Sequence, residues 1–360
     1  MKEVNQQAKQ GREADGTVQR SLPMRWRESM EELLPPDEME EFLASFDAPS
    51  VKGLLVNRER VKRLRNTNRD NFIAYLEPFD PVPWHSDGFY LPPNERAAIH
   101  EWYETGCYYL QDPAAMLPAQ VLAAEAGEWV LDLCGAPGGK TAGIANTMAG
   151  EGLLISNEIE FERNRILVHN CERLGLYHCL VAHETPERLA DIFPARFDRI
   201  LVDAPCSGEG LFRRQSSAID NWCSFGPKSC AALQMEIMNS AWRMLKPNGV
   251  LVYSTCTFSQ TENEDVIEAF LRAHVDAVCE DARAALPDST GVSSGSSTEH
   301  GAMMLRIWPH RAAGDGQFCA RLRKDKSLAQ NVEQPGGMLP ELRPQPDAKR
   351  VRRKHRNSTF

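Results

Sequence analysis

The chain contains no run approaching the roughly 18 to 20 consecutive apolar residues that a membrane-spanning helix requires, so no such helix is expected. Its first stretch, Met1 to Arg20, lacks the apolar core of a secretory signal, which points to the cytosol. The ten cysteines stand at 107, 134, 171, 179, 206, 223, 230, 256, 279 and 319, and no two of them have Cys-x-x-Cys spacing. Structural disulfides and a zinc site are therefore not expected, no metal is assigned, and most of these thiols should be small buried hydrophobes. There is no internal repeat and no excess of positive charge. Acids outnumber bases 50 to 41, a net charge of −9 that argues against indiscriminate binding to nucleic acid.

What is present suits one large domain and a smaller one: 360 residues, 42% hydrophobic and 25% charged. Bases are few overall but concentrated. Lys52, Arg58, Arg60, Lys62, Arg63, Arg65 and Arg69 crowd one stretch, and Lys349, Arg350, Arg352, Arg353, Lys354 and Arg356 form another near the end. Taken alone, each cluster fits a solvated face or tail as well as an RNA contact. Residues 1–22 read as a disordered lead-in, 23–95 as a small N-terminal α+β domain, 96–325 as the main domain, and 326–360 as a polar, basic tail. In the main domain apolar strands alternate with helices, which predicts a Rossmann-like, doubly wound, mostly parallel α/β sheet. Strands are expected at Trp129–Cys134, Gly152–Glu158, Cys179–His183, Arg199–Ala204 and Gly249–Cys256. Helices are expected at Thr141–Met148, Phe161–Leu174 and Ala231–Leu245, with Thr261 and Glu264 as a capping box for another running to His274. Met303–Trp308 and Phe318–Leu322 suit a closing antiparallel pair.

The first of these strands runs into Leu131-Asp132-Leu133-Cys134-Gly135-Ala136-Pro137-Gly138-Gly139-Lys140-Thr141. In an open parallel sheet the ligand sits beyond the carboxyl ends of the strands, where glycines admit close backbone approach. The Gly-Lys-Thr ending suggests a phosphate-binding loop, but that motif needs glycine where Cys134 stands, and the dinucleotide pattern does not fit either. A methyltransferase turn does fit. The next strand ends at Glu158, placed to accept hydrogen bonds from the ribose hydroxyls of an adenosine group.

Two further strands end in cysteine motifs, Asp203-Ala204-Pro205-Cys206-Ser207-Gly208-Glu209-Gly210 and Tyr253-Ser254-Thr255-Cys256-Thr257-Phe258. Two thiols at one sheet edge beside an aspartate suggest covalent chemistry. Carbon 5 of cytosine is a poor nucleophile until a thiolate adds to carbon 6 and gives it enamine character. An acid at ring nitrogen 3 eases that addition, and a base must later remove the carbon 5 proton. Cys206, Cys256 and Asp203 supply the residue types without declaring which thiol attacks.

Together these motifs resemble the Nol1/Nop2/Sun family of RNA 5-methylcytosine methyltransferases across roughly residues 24–325. Glu184-Thr-Pro-Glu-Arg-Leu-Ala190, Asn263-Glu264 and Arg306-Ile-Trp-Pro-His310 are most similar to the bacterial ribosomal RNA subgroup of the RsmF type. The resemblance implies Cys256 as nucleophile, Cys206 as the thiol that assists product release, Asp203 at ring nitrogen 3 and Lys140 holding the cytosine. It implies S-adenosyl-L-methionine on Cys134, Gly135, Ala136, Pro137, Gly138, Gly139, Lys140, Glu158, Arg163, Glu184 and Asp203. RNA, chiefly ribosomal RNA or a ribosomal subunit, is the implied partner of a cytoplasmic monomer, with residues 23–95 helping to bind it. Transfer RNA is the alternative substrate, and a non-catalytic ribosome-assembly factor the alternative class. The chain departs from the family in Gly53-Leu-Leu-Val-Asn57, where an arginine is usual, and in Gly135, where alanine is usual. It also has only about 35 polar residues where many relatives carry a further RNA-binding domain.

Overall fold

The computed structural model describes residues 22–327; the lead-in through residue 21 and the tail from 328, with its basic cluster, lie outside the described residues. The N-terminal layer runs α1 (Met24–Leu33), α2 (Met39–Ala44), β1 (Lys52–Val56), α3 (Arg58–Lys62), α4 (Asn66–Leu76), β2 (Gly88–Leu91), α5 (Glu101–Glu104) and β3 (Tyr108–Gln111). Its three strands pair antiparallel in the order β2-β1-β3 over a core that includes Leu54, Phe72, Trp102 and Tyr108. The third strand therefore comes from beyond residue 95. Helices α1 and α2 take no part in that core. Trp26 and Phe42 pack instead with Phe212, Phe258 and Trp308 of the main domain, and Phe258 stacks on Trp308 at 5.1 Å. Both layers belong to one compact unit.

The main domain continues with α6 (Leu117–Leu122), β4 (Trp129–Asp132), α7 (Gly139–Thr147), β5 (Leu153–Asn157), α8 (Phe161–Leu174), β6 (Cys179–Ala182), α9 (Pro186–Ile192) and β7 (Phe197–Asp203). Then follow α10 (Ser216–Met244), β8 (Leu245–Thr255), α11 (Glu264–Ala273), β9 (Ala277–Glu280), β10 (Val292–Ser294), β11 (Leu305–Ile307) and β12 (Gln317–Lys324). The strand order is β10-β11-β12-β8-β7-β4-β5-β6, with β9 also on β12. Strands β6, β5, β4, β7 and β8 are mutually parallel, and β12 closes against β8 antiparallel. The chain leaves β4 first toward β6 and then returns to the other side through β7, so β4 and β7 flank the switch point. Apolar runs such as Ile200-Leu-Val202 are fully buried, each large side chain contributing roughly 1.5–3 kcal/mol. Among the described residues no helix is long and apolar enough to cross a membrane.

Helix α8 matches its expected bounds because its ends are marked locally. The Glu160 side chain accepts from the Arg163 amide at the start, and Gly175 (φ 65°) turns the chain at the end. Two expectations are corrected. A helical segment from Ser216 that was not expected precedes the helix carrying Ala231, and the two are separated by a non-helical break at Gly226 (φ 68°, ψ 165°) followed by Pro227; α10 denotes both. The capping box does not form, since α11 opens at Glu264 with no side-chain cap and Glu264 instead binds the buried Arg306 guanidinium. A buried guanidinium requires a carboxylate, and that demand outweighs the cap.

Candidate active site

The Cys134–Lys140 turn joins β4 to α7 at the carboxyl edge of the sheet. Gly138 precedes the helix at φ 115°, a conformation that side chains resist. Asp132, under this turn, is fully buried; its Oδ2 accepts from Thr141 Oγ1 at 2.7 Å while Oδ1 has no partner. Burial raises its carboxyl to about 7. Burial likewise pushes the Cys134 thiol far up, so Cys134 stays protonated.

Across the cleft, the buried Glu158 carboxylate accepts from the Glu160 amide at 2.9 Å and stands 3.4 Å from Arg163 Nη2. Arg163 also donates to the Ala136 carbonyl at 3.0 Å, so one side chain joins the turn to the acidic strand end. Glu184 lies at the same edge with its carboxylate turned to Arg188 at 3.1 Å, and Thr185 is occupied in capping α9. The sequence did not flag two residues here. Asn157 ties three strand ends together, donating to the carbonyls of Leu133 and Glu184 and accepting from the Glu184 amide. Ile159, apolar yet 56% exposed, directly follows Glu158.

On the other side of the switch point, Cys206 Sγ and Cys256 Sγ lie 3.4 Å apart. Asp203 ends β7 and accepts from Lys140 Nζ at 2.8 Å, Ser254 Oγ at 2.8 Å and Gln317 Nε2 at 3.4 Å. Burial disfavours the Lys140 charge, but Asp203 more than offsets it, with Cys256 adding to the effect, so Lys140 remains a cation. Its hydrogen bond with Cys256, followed by burial, raises the Cys206 thiol well above the usual range. Cys206 therefore keeps its proton. The four residues expected to carry chemistry are thus brought together, and the turn and acids expected to hold an adenosine group lie along the same sheet edge.

The basic stretch is less available than its sequence suggests. Arg58 binds Asp87 at 2.5 Å, Arg60 the Thr105 carbonyl, Lys62 Glu59, and Arg69 the Lys62 carbonyl, while Arg63 lies over Tyr177. Lys52 and Arg65 have no side-chain partner among the described residues. A cavity of about 680 Å³ sits at the opposite, amino-terminal edge of the parallel strands. Its cations are spent internally: Arg199 on Glu125 and Glu128, Lys246 on Asp198, Arg321 and Arg323 on Glu280. The thiol edge differs in holding the two sulfurs and the unpartnered Asp132 Oδ1.

The strand order defines a Rossmann-like domain, and the family match below makes it a methyltransferase domain. In fold it is similar to a methyltransferase homolog protein from Pyrococcus horikoshii, with a TM-score of 0.68 and 26% identity over 82% of this chain and 93% of that one. NSun6 from Pyrococcus horikoshii, solved with SFG, has the same TM-score at 21% identity, covering 84% of this chain and 98% of that one. The chain belongs to the RsmB/F family, whose model, described as 16S rRNA methyltransferase RsmB/F, matches residues 119–323. The model for the N-terminal domain of 16S rRNA methyltransferase RsmF matches residues 22–113, a span that takes in β3. Among curated relatives, the Ribosomal RNA small subunit methyltransferase F of Erwinia tasmaniensis is 32% identical over 88% of this chain and 66% of its own length. That of Aeromonas salmonicida is 35% identical over 83% of this chain and 63% of its own length. The chain thus spans a little under two thirds of the curated relatives it matches.

Proposed function

We propose that this protein transfers a methyl group from S-adenosyl-L-methionine to carbon 5 of a cytosine in ribosomal RNA, through a covalent bond between Cys256 and the base. The observation that carries the reading is the pair of sulfurs 3.4 Å apart beside the Lys140–Asp203 ion pair. A scaffold protein has no use for that arrangement. Family membership and the names of the curated relatives favour small-subunit ribosomal RNA as the substrate.

The methyl donor fits the cleft on this chain's own features. The unpartnered Asp132 oxygen, the buried Glu158 carboxylate and the exposed Ile159 suit the amine, ribose and adenine parts of such a molecule. Residues 134–140, Glu158, Arg163 and Asp203 would hold it, with the Glu184 backbone near the adenine. When bound, it supplies an electrophilic methyl on sulfonium.

The protein residues divide the remaining work. The Cys256 sulfur adds to carbon 6 as a thiolate, and the charge pushed to ring nitrogen 3 is neutralised by a proton that the Lys140–Asp203 pair supplies there and takes back when the sulfur leaves. Lys140 orients Asp203 and the base. Carbon 5 then takes the methyl with its electron pair. Release requires loss of the carbon 5 proton to a base, after which the carbon 6–sulfur pair returns to Cys256. Cys206 suits that step once its own proton has passed to solvent and left a thiolate. Its proton is held chiefly by the bond to Cys256, and that hold weakens once the Cys256 sulfur has become a thioether. RNA is assigned to the N-terminal layer, with Lys52 and Arg65 as the cations of the 52–69 stretch that have no side-chain partner among the described residues.

Bisulfite sequencing of 16S rRNA treated with the protein and S-adenosyl-L-methionine tests the reading. One or a few protected cytosines are expected with the native chain and none with Cys256→Ala. Equal protection by both would overturn it.

A further inference from the structure

Two buried carboxylates lie between the thiol loops and take no part in the chemistry set out above. Glu209 belongs to the loop carrying Cys206, yet its Oε2 accepts from the Phe258 amide at 2.9 Å, in the loop carrying Cys256. Glu262 follows Cys256, yet it accepts from the Ser207 amide at 2.9 Å and from Ser207 Oγ at 2.5 Å, next to Cys206. Each loop is gripped by an acid from the other. The Gly210 amide adds a direct bond to the Cys256 carbonyl at 2.9 Å, and Ser207 Oγ meets Thr257 Oγ1 at 2.9 Å. Both acids are anchored from α10: Trp222 Nε1 donates to Glu209 at 2.8 Å, and Gln234 Nε2 to Glu262 at 3.0 Å and to the Pro205 carbonyl at 3.0 Å.

This arrangement is costly. Glu209 and Glu262 are 1% and 0% exposed, and burial raises both carboxyls, Glu262 to about 7. Apolar side chains of similar size would serve packing alone at no such penalty. Two buried acids are justified where backbone amides on either side of a reactive pair must be held at a fixed separation. Once Cys256 is bonded to carbon 6, the group acting on carbon 5 must lie within contact distance of that same sulfur. A displacement of about 1 Å at such a place can lower a rate on the order of a hundredfold.

We propose that Glu262 and Glu209 are positioning residues for adduct release, holding the Cys206 sulfur against the Cys256 sulfur by reciprocal hydrogen bonds across the two loops. The assignment rests on the covalent reading above. Single-turnover methyl transfer, steady-state turnover and the fraction of protein covalently bound to a 16S rRNA transcript are to be measured for the full chain and its Glu262→Ala, Glu262→Gln, Ser207→Ala and Cys206→Ala variants. Glu262→Ala should accumulate adduct and lose about tenfold in steady-state turnover while single-turnover transfer stays within about threefold. Glu262→Gln keeps an acceptor for the Ser207 amide and should restore most of the release rate. Ser207→Ala removes one grip with little disturbance to folding and should slow release in the same sense if Glu262→Ala does not fold. Native release rates in the folded Glu262→Ala and Ser207→Ala proteins would overturn the proposal. If Cys206→Ala also traps no adduct, the covalent reading itself fails, and the release role falls with it.

Discussion

Alanine at position 135 should be tolerated in this chain only if Ser156 changes with it. A Cβ built on Gly135 lies 2.0 Å from Ser156 Oγ and 3.2 Å from both Asp132 Oδ2 and Thr141 Oγ1. The backbone there is not left-handed, so the objection is purely one of space. Ser156 is fully buried, and its hydroxyl shares a 2.9 Å bond with Thr141 Oγ1. Gly135→Ala must rotate that hydroxyl away, which breaks the bond and leaves a buried polar group without a partner, at roughly 1–3 kcal/mol. A stiffer unfolded chain returns about 0.4–1 kcal/mol. The net expectation is a loss of roughly 1–2 kcal/mol by the same arithmetic. Ser156→Ala alone should lose roughly 1 kcal/mol for its hydrogen bond. The double variant removes the clash and should be more stable than the sum of the two by about 1 kcal/mol, well outside ordinary additivity. Urea denaturation of the four proteins measures this cycle, and calorimetry with S-adenosylhomocysteine reports whether the turn keeps its shape. Additive losses, or a neutral Gly135→Ala, would refute the steric coupling.

Two other outcomes are expected. Burial, reinforced by Arg58, lowers His85 to about 4, so the unfolded chain takes up its proton first. Stability from this residue is fully present above about pH 6.5 and is lost as pH falls through about 4, up to roughly 3 kcal/mol. His85→Gln should flatten acid unfolding in that window, and an unchanged acid limb would contradict the assignment. Reversing Lys52 and Arg65 to glutamate should reduce the salt dependence of RNA affinity by about one unit of slope per lost phosphate contact. Reversing the internally paired Arg60 should do less to that slope. An equal change from Arg60 would place RNA elsewhere.

The parts of the molecule that could be read from its residues are those governed by short-range rules. The buried strand runs, the glycine turn at 135–139, the acid at 158 and helix α8 with Gly175 behind it all carry local signals. The juxtaposition of Cys206 and Cys256 followed from both lying at the ends of parallel strands, which places them on one edge. What escaped was set by tertiary partners. Glu264 looks like a capping residue until Arg306 is seen to take it. The helical segment from Ser216, ahead of the break at Gly226, is fixed by Ala218 and Ile219 packing with the N-terminal helices. Five of the seven bases at 52–69 are occupied by acids, carbonyls or an aromatic ring that spacing alone cannot reveal. Glu209 and Glu262 lay within or beside motifs already noticed for their cysteines, but nothing in one dimension shows that each reaches into the other's loop.

Mass spectrometry of the trapped protein–RNA species offers the decisive measurement. Cys206→Ala incubated with 16S rRNA and S-adenosyl-L-methionine, then digested with nuclease and protease, should yield a peptide in which Cys256 carries a methylated cytidine. A modified residue other than Cys256, or methylated RNA from a protein with serine at 256, would contradict the mechanism.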